Sequence, residues 1–483
     1  MTLNELIREL KIVGRSGDGN PEVGSVVFDS RQVGKGDLFV AVRGGQADGH
    51  RFIPQALESG ASVIVSEEVP PQQPGGVVWI QVPESRRALA LLASAFYGHP
   101  SGQLQLVGVT GTNGKTTIVT LLHQLHGLLG YKAGLLSTIR VKIGEEVRSA
   151  THTTPDPVQI NQTLRAMVDA GCEYCFMEVS SHAVDQERTA GLQFTGGVFT
   201  NLTRDHLDYH PDFSAYLNAK KRFFDQLSSG SFGLVNADDK HGRVMLQNCA
   251  ADHYCYSLRS LCDFTGKISE MHLEGTGMMI NEKEVWVNLP GRFNASNLLA
   301  VFGVSVLLGH HREELINALS QLKPVEGRFQ VHHSEQGPAA VVDYAHTPDA
   351  LERVLETLQE VNVKGGQIIT VVGAGGNRDK GKRPAMARIA AEGSHKVILT
   401  SDNPRDEDPE AILDDMMGGI PDQLHDRALR IVSRREAIRT ACMLARAGDI
   451  ILVAGKGHEK TQEIMGEKFP FDDMEILTQT LKG

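Results

Sequence analysis

Short apolar runs alternate with longer amphipathic segments along most of the chain. Residues 104–109, 174–179 and 368–372 have the length and composition of buried strands. The segment 116–129, which follows the first run, carries apolar residues at helical spacing. Strands that alternate with helices are typical of a mainly parallel sheet covered by helices. The pattern therefore predicts an α/β protein.

The order of these elements predicts three domains, which agrees with a length of 483 residues. The first, residues 1–98, is a small α/β domain that ends before His99-Pro100. We predict strands at 26–28, 38–42 and 62–66 in it, and helices at 52–59 and 86–97. Residues 99–327 form a central parallel-sheet domain with a phosphate loop (P-loop). Residues 328–483 form a Rossmann-like domain.

A glycine-rich loop separates the run 104–109 from the helical segment 116–129. It contains Gly111-Thr112-Asn113-Gly114-Lys115-Thr116-Thr117. In such a strand–loop–helix unit, backbone N–H groups and the positive helix end bind nucleotide phosphates. Lys115 can reach the terminal phosphates, and Thr116 can offer its hydroxyl to Mg²⁺. Val109 stands at the first glycine position of the usual GxxxxGK[ST] spacing, but the flanking elements favour a nucleotide-binding loop.

Polar clusters also follow the next two predicted strands of the central domain. Glu178 ends one strand, and His206 lies a few residues beyond the other. Ligands of open α/β sheets bind beyond the carboxyl ends of the strands, so these side chains should converge near the phosphate loop. A carboxylate there can hold Mg²⁺ against phosphates. For His206 the position alone leaves a structural role and a role at a cation or phosphate equally open.

A lysine lies on the apolar stripe of the segment 212–227. The stripe consists of Phe213, Tyr216, Leu217, Phe224 and Leu227, and Lys220 lies among them. An ammonium group is costly there unless it is paired or neutral. The spacing favours a side chain that extends to solvent. The alternative is a neutral amine that reacts with CO₂ to give a carbamate able to bind Mg²⁺.

Charged residues also follow three predicted strands of the third domain. Arg378, Arg405 and Glu459 lie just beyond these strands. Two guanidinium groups and a carboxylate suit a ligand that carries both carboxylates and an amine, such as an amino acid. None of the three turns has the GxGxxG spacing, so dinucleotide binding is disfavoured.

Composition narrows the class of protein further. The formal net charge of −11 gives no basic footprint for nucleic acid. The longest apolar stretch, 298–308, is too short to span a bilayer, and the first residues do not resemble a signal peptide. The six cysteines fit a reducing compartment, and Cys172 and Cys175 are best explained as core thiols. We expect a cytoplasmic protein without a membrane span.

The ordered motifs of the chain resemble those of the Mur ligases. The resemblance begins with the phosphate loop 110–117 and continues through the blocks 178–182 and 200–208. It extends through Gly291–Asn297, Asp343–Pro348 and Gly455–Glu459 in the same order, and so covers essentially the whole chain. The segments 29–31 and 36–41 resemble the N-terminal domain of the family's third ligase.

The resemblance implies a domain for a UDP-sugar, one for ATP and one for an amino acid. It implies that ATP phosphorylates a terminal carboxylate and that an amine then attacks the acyl phosphate. It implies Mg²⁺ as cofactor and ATP as co-substrate, with Lys115, Glu178, His206 and Lys220 as catalytic residues. It also reverses the choice at Lys220, because family members carry a carbamylated lysine in the context Tyr216-Leu217-Asn218-Ala219-Lys220. The implied metal environment is Thr116, Glu178, His206 and carbamylated Lys220.

The same matching implies three sets of ligand contacts. The ATP contacts are Gly111, Thr112, Asn113, Gly114, Lys115, Thr116, Thr117, Asn294, Arg328 and Asp343. The UDP-peptide contacts are Ser30, Gln46, Thr153, Thr154, Ser180, Gln186 and Arg188. The diamino-acid contacts are Arg378, Asp402, Asn403, Pro404, Arg405, Gly455 and Glu459.

The tetrapeptide Asp402-Asn403-Pro404-Arg405 resembles the version associated with meso-diaminopimelate. This compound is lysine with a second carboxylate at its far end, and Arg405 can bind that carboxylate with two hydrogen bonds. The resemblance thus implies an enzyme of peptidoglycan precursor synthesis that joins meso-diaminopimelate to UDP-N-acetylmuramoyl-L-alanyl-D-glutamate. We expect a monomer. Three alternatives remain: an L-lysine-adding ligase, a folylpolyglutamate-type synthetase and a non-catalytic, nucleotide-gated precursor-binding protein.

Overall fold

Three separate sheets, each packed against helices, organise the chain. The computed structural model describes residues 1–44, 47–69, 75–150, 152–206, 208–334, 337–363 and 365–482. The sheets have five, eleven and six strands and follow one another along the sequence. This mixed α/β architecture confirms the predicted fold class.

The N-terminal sheet has the strand order β1-β5-β4-β3-β2, in which only β1 is antiparallel to its neighbour. Its strands are β1 (Gly14–Ser16), β2 (Val26–Val27), β3 (Leu38–Val40), β4 (Val63–Ser66) and β5 (Val78–Gln81). The helices are α1 (Leu3–Leu6), α2 (Ile53–Glu58) and α3 (Ser85–Phe96). The three predicted strands and the helix predicted at 52–59 are present with shorter ends, and the helix predicted at 86–97 is shifted by one residue; α1, β1 and β5 were not predicted.

The central sheet is parallel in its middle and antiparallel at both edges. Its order is β16-β15-β14-β13-β12-β11-β6-β10-β7-β8-β9. The strands are β6 (Gln105–Thr110), β7 (Ala133–Leu136), β8 (Arg140–Ile143), β9 (Glu146–Ser149), β10 (Tyr174–Glu178), β11 (Gly196–Phe199), β12 (Phe232–Asn236), β13 (Asp252–Ser257), β14 (Phe264–His272), β15 (Gly275–Ile280) and β16 (Lys283–Val287). The phosphate-loop strand β6 lies between β10 and β11, so the polar ends of these three strands meet at one edge.

The helices of the central domain cover this sheet. They are α4 (Lys115–Leu128), α5 (Pro157–Asp169), α6 (Ser181–Asp185), α7 (Phe213–Asp225), α8 (Gly242–Met245), α9 (Arg292–Leu307) and α10 (Arg312–Leu319). In α7, Phe213 is 36% exposed, so its predicted place on the buried stripe is wrong; Phe223 is buried in that helix. A disulfide between Cys255 and Cys262 lies at the end of β13, whereas Cys172 and Cys175 are buried free thiols, as predicted.

The C-terminal sheet has the order β17-β18-β22-β19-β20-β21 and is parallel except for β17. The strands are β17 (Gln330–His333), β18 (Ala339–Asp343), β19 (Ile368–Ala374), β20 (Lys396–Ser401), β21 (Ala428–Arg430) and β22 (Ile450–Ala454), followed by the hairpin β23 (Thr461–Ile464) and β24 (Glu467–Pro470). The helices are α11 (Pro348–Val361), α12 (Lys382–Gly393), α13 (Pro409–Met417), α14 (Arg434–Leu444) and α15 (Asp473–Leu481). Asp408 caps the N-terminus of α13, because its carboxylate accepts the N–H of Glu410 at 3.0 Å. None of the helices in the described ranges is long and apolar enough to cross a membrane.

A buried histidine on α4 should make the central domain sensitive to acid. The His126 ring packs 4.6 Å from the Tyr174 ring and 4.7 Å from the Phe176 ring, and burial lowers its pKa from 6.5 to about 4. In the unfolded chain this histidine binds a proton below pH 6.5, whereas in the folded domain it binds one only below about pH 4. The free energy of unfolding therefore has its full value above pH 6.5 and falls as the pH drops from 6.5 to 4. We expect a loss of about 2 kcal/mol between pH 7 and pH 5.

Urea unfolding at both pH values, followed by Trp286 fluorescence in a Trp79→Phe background, checks this expectation. His126→Leu should have a lower stability at pH 7 but a smaller loss on acidification. An equal loss in both proteins would assign the acid sensitivity to other groups.

Candidate active site

The phosphate loop connects the end of β6 to the start of α4 in a conformation that requires glycine. Gly111 and Gly114 have φ values of +150° and +89°. A Cβ on Gly111 would lie 1.8 Å from Thr200 Oγ1, and one on Gly114 would lie 2.6 Å from Asn297 Oδ1. The loop is therefore packed tightly against the segments after β11 and in α9, with the N-terminus of α4 open to an anion.

Two lysines donate to the same carbonyl of this loop. Lys115 Nζ lies 2.8 Å from the carbonyl oxygens of Gly111 and Thr112, and Lys220 Nζ lies 2.9 Å from that of Gly111. Lys220 is 1% exposed, and its Nζ lies 4.6 Å from the centre of the Tyr216 ring. The solvent-reaching side chain that spacing favoured is thus wrong. Burial, reinforced by the charge of Lys115, holds the pKa of Lys220 well below its usual value.

Glu178 ends β10, and His206 lies in the segment that follows β11 on the other side of β6. The Glu178 carboxylate is buried and accepts the N–H of Thr138 at 2.7 Å and the hydroxyl of Thr138 at 3.1 Å. His206 has a φ of +56°, and its Nε2 lies 3.5 Å from Asp205 Oδ2. Burial outweighs the attraction of Asp205 and lowers the pKa of His206 to about 3, so the imidazole is neutral and offers a lone pair.

A cavity of about 100 Å³ lies between the phosphate loop and the C-terminal domain. Its lining includes the predicted ATP contacts Asn113, Gly114, Thr117, Arg328 and Asp343. The Arg328 guanidinium lies 4.3 Å from the centre of the Tyr344 ring and donates to Thr116 Oγ1 at 3.2 Å. Of the other predicted contacts, Asn294 is buried, donates to the Pro290 carbonyl and does not line this cavity. Ser296 and Asn297 of the same helix do line it, and were not predicted.

The Asp343 carboxylate organises the turn beneath Arg328. Its oxygens accept the N–H groups of Phe329 and Ala345 at 2.6 and 2.7 Å. Burial raises the pKa of this carboxyl group, while Arg328 and the two N–H donors act in the opposite direction. Asp343 therefore fixes β18 against the segment that carries Arg328.

A second cavity, of about 750 Å³, lies between the N-terminal and central domains. Its lining includes three of the predicted UDP-peptide contacts, Ser30, Gln186 and Arg188. Gln46 lies outside the described residues, and the neighbouring Gly44 and Ala47 line this cavity. Arg188 donates to Gln186 Oε1 at 2.7 Å and to the Thr154 carbonyl at 2.6 Å, which links this cavity to the next one.

The third cavity, of about 420 Å³, lies between the central and C-terminal domains. It brings together the phosphate-loop residue Lys115, the predicted peptide contacts Thr153, Thr154 and Ser180, and His206. The predicted diamino-acid residues that line it are Arg378, Asp402, Asn403, Arg405, Gly455 and Glu459. Pro404 does not line it; its carbonyl oxygen lies where a Cβ on Gly376 would come within 1.9 Å. Pro404 thus packs the two loops together, and its contact with the diamino acid stays a prediction.

Hydrogen bonds prearrange the predicted diamino-acid contacts in this cavity. Arg405 Nη1 donates to the Gly376 carbonyl at 2.7 Å, and Arg405 Nε lies 3.5 Å from Glu463 Oε2 of the β23–β24 hairpin. Lys456, which was not predicted, is fully buried and donates to Asn403 Oδ1 and Glu459 Oε2, both at 2.9 Å. Its charge holds the two side chains in one orientation.

The three cavities share lining residues and so form a continuous path. His152 and Arg188 line both the second and the third cavity. Tyr344 and His346 line both the third and the first. None of these three residues, His152, Tyr344 and His346, was predicted as a contact, although Tyr344 and His346 lie inside the motif 343–348.

The metal environment implied by the resemblance combines different kinds of side chain. Among the residues that the structure describes, no group of three or more His, Cys, Asp or Glu side chains could hold a metal ion. The implied set contains two such residues, Glu178 and His206, and its other members are Thr116 and Lys220. A carbamate on Lys220 would add the missing oxygen donors of the kind that Mg²⁺ prefers.

Comparisons with known proteins agree with the motifs. Sequence models of the Mur ligase family's catalytic domain, the Mur ligase middle domain and the Mur ligase glutamate ligase domain match residues 22–97, 109–305 and 327–457. UDP-N-acetylmuramoyl-L-alanyl-D-glutamate–2,6-diaminopimelate ligases of Parabacteroides distasonis and Bacteroides thetaiotaomicron are 55% and 53% identical over 479 residues, which is 99% of each chain.

A solved structure of an enzyme with the same name has a TM-score of 0.71 and 33% identity to this chain, and the match covers 100% of this chain and 99% of the other. The matched models, the full-length identity and the agreement in structure lead to one conclusion. The chain belongs to the Mur ligase family.

Proposed function

We propose that this protein is an ATP-dependent ligase that adds meso-diaminopimelate to UDP-N-acetylmuramoyl-L-alanyl-D-glutamate. The observation that carries the proposal is the path of three cavities with shared lining. A cavity between the N-terminal and central domains leads to one that contains Lys115, Arg405 and Glu459, which in turn meets the cavity behind the phosphate loop. Such a path can bring together a nucleotide-linked peptide, an amino acid and ATP.

The phosphate loop and its lysine prepare the first step. The terminal carboxylate of the peptide attacks the γ-phosphate of ATP, and both groups are anions. The N-terminus of α4, the Lys115 ammonium and the Arg328 guanidinium offset their repulsion and the charge that develops during transfer. Mg²⁺, when bound, supplies further charge neutralisation at the phosphates. The buried position of Lys220 supports its conversion by CO₂ to a carbamate, because only a neutral amine reacts.

The C-terminal domain supplies the amino acid for the second step. The Arg405 and Arg378 guanidinium groups suit carboxylates, and the Glu459 carboxylate suits an ammonium group. The diamino acid attacks the acyl carbon, the new amide forms and phosphate leaves. L-Lysine lacks the far carboxylate, so it would not form the two-hydrogen-bond ion pair that Arg405 can make with meso-diaminopimelate. This supports meso-diaminopimelate over the lysine-adding alternative.

A reaction with purified protein tests the proposal. The protein is incubated with ATP, Mg²⁺, the UDP-dipeptide and a panel of amino acids, and phosphate release and product mass are measured. We expect phosphate release that requires both the peptide and meso-diaminopimelate, with a UDP-tripeptide as product. Tight binding without product would instead support the precursor-binding alternative, and a product with L-lysine alone would support the lysine-adding ligase. The monomeric state also stays a prediction.

A further inference from the structure

His346 lies at the junction of two of the cavities described above. One is the cavity of about 100 Å³ beside the phosphate loop (the nucleotide cavity), and the other is the cavity of about 420 Å³ between the central and C-terminal domains (the diamino-acid cavity). It follows β18 and precedes α11. Of the described residues, only Tyr344 and His346 line both cavities. The acyl phosphate forms from the peptide carboxylate and the γ-phosphate of ATP, so it would lie at this junction beside Lys115, and the incoming amine would reach it from the diamino-acid cavity. The His346 ring is therefore close to the place where the carbon–nitrogen bond forms.

One hydrogen bond fixes the tautomer of this ring. His346 Nδ1 lies 2.9 Å from the carbonyl oxygen of Tyr344. A carbonyl oxygen can only accept, so Nδ1 carries the proton and Nε2 of the neutral ring has a free lone pair. Nothing within the described ranges gives Nε2 a hydrogen-bond partner. The Tyr344 ring, 4.6 Å from that of His346, holds the imidazole in place.

The charged neighbours of His346 favour its neutral form. Burial and the Lys382 ammonium lower the pKa of His346, Asp205 opposes them, and Arg328 adds to the lowering. The ring is therefore unprotonated near neutral pH and able to accept a proton. The nitrogen that attacks an acyl group acquires positive charge, which makes its protons acidic enough for such a base.

We propose that His346 is a catalytic base that accepts a proton from the attacking amine; the proposal rests on the ligase function proposed above. The amine nitrogen uses its lone pair to form the C–N bond. The bond between the acyl carbon and the phosphate oxygen breaks, and its electron pair leaves with the phosphate. The N–H proton moves to His346 Nε2, which later releases it to water in the cavity.

Other titratable groups in the cavity are placed less well for this role. His206 belongs to the implied metal environment, where its lone pair would be engaged. His182 stacks on the Tyr209 ring at 4.0 Å and does not line the nucleotide cavity. Asp205 accepts the N–H of His206 at 2.9 Å and also lies outside the nucleotide cavity.

Hydroxylamine separates proton removal from the other steps. It is small, is unprotonated at pH 7 and attacks acyl phosphates without a base. ADP release by the wild type and by His346→Gln is measured with ATP and the UDP-dipeptide, once with meso-diaminopimelate and once with hydroxylamine. We expect the variant to lose about 10²–10⁴-fold in rate with meso-diaminopimelate but only a few-fold with hydroxylamine. The rate of the variant with meso-diaminopimelate should recover as pH approaches the pKa of the amine itself.

His458→Gln is the matched control. The His458 ring contacts the same tyrosine, with 5.1 Å between ring centres, but does not line the diamino-acid cavity. This variant should change both reactions by the same factor. Equal losses in both reactions for His346→Gln, no loss in either, or a selective loss in His458→Gln would overturn the proposal. If the wild type released no ADP with meso-diaminopimelate and none with hydroxylamine, that result would instead contradict the ligase function.

Discussion

Replacement of Lys220 by alanine should nearly abolish ligase activity while the protein remains folded. We expect a fall in kcat of about 10²-fold or more, the upper scale for loss of a group that supports a metal site. The side chain is 1% exposed and donates to the Gly111 carbonyl, next to the lysine of the phosphate loop. A carbamate at this position would replace a buried amine beside Lys115 with an anion that supports Mg²⁺.

Short carboxylic acids should partly restore the activity of Lys220→Ala. The substitution leaves a space in which formate or acetate can supply the carboxylate that the carbamate provided. The ligase assay is run with increasing concentrations of each acid, and the fraction of wild-type kcat recovered is measured. Lys221→Ala is the control: the neighbouring Lys221 pairs with Asp225 at 2.5 Å on a different face of α7. It should retain its activity and gain nothing from the acids.

Direct detection of the carbamate gives an independent check on the role of Lys220. A crystal structure or an intact-mass measurement under CO₂ should show the added carboxyl group on the wild type and none on Lys220→Ala. A free amine on the wild type under these conditions, together with full activity, would contradict the carbamate.

The sequence predicted the parts of the fold that depend on local periodicity. Strands β6, β10 and β19 are continuous apolar runs, and the loop before α4 contains the glycines that its conformation needs. The antiparallel edge at β9 was missed because all four residues of this strand are exposed and carry no strong apolar pattern. The β23–β24 hairpin was also missed, although Met465-Gly466, both with positive φ, forms the type of turn that connects two strands.

The residues of the candidate site could be predicted where a local motif identifies them. They could not be predicted where their role depends on burial or on partners that are distant in sequence. Lys220 shows the limit most clearly, because helical spacing placed it on the buried face but could not show how deeply it lies. Lys456 was missed since its partners, Asn403 and Glu459, are 53 and 3 residues away in sequence and meet it only when β20 and β22 lie in one sheet. That His346 lines two cavities could not be predicted either, because the cavities form only when the domains are folded and packed together.

The removal of Arg405 should change which amino acid the enzyme prefers. We expect Arg405→Ala to weaken kcat/KM for meso-diaminopimelate by about 2–5 kcal/mol, the range for truncation of one partner of a buried charge pair. The guanidinium is 23% exposed and already oriented by the Gly376 carbonyl and Glu463, so it meets a carboxylate with little loss of side-chain freedom. L-Lysine has no carboxylate at this end, and its kcat/KM should change much less.

Two further variants separate charge from geometry in this prediction. Arg405→Lys keeps the positive charge but cannot form two parallel hydrogen bonds, so it should recover only part of the loss. Arg388→Ala removes an exposed arginine from α12 of the same domain and should leave both amino acids unaffected. Steady-state kinetics with meso-diaminopimelate and L-lysine for all four proteins measure the effect. Wild-type kinetics for Arg405→Ala, or an equal loss with both amino acids, would mean that this guanidinium does not bind the far carboxylate. The preference for meso-diaminopimelate would then have to come from Arg378. That side chain is more exposed, and its Nη1 lies 3.9 Å from Asp208 Oδ2 of the central domain.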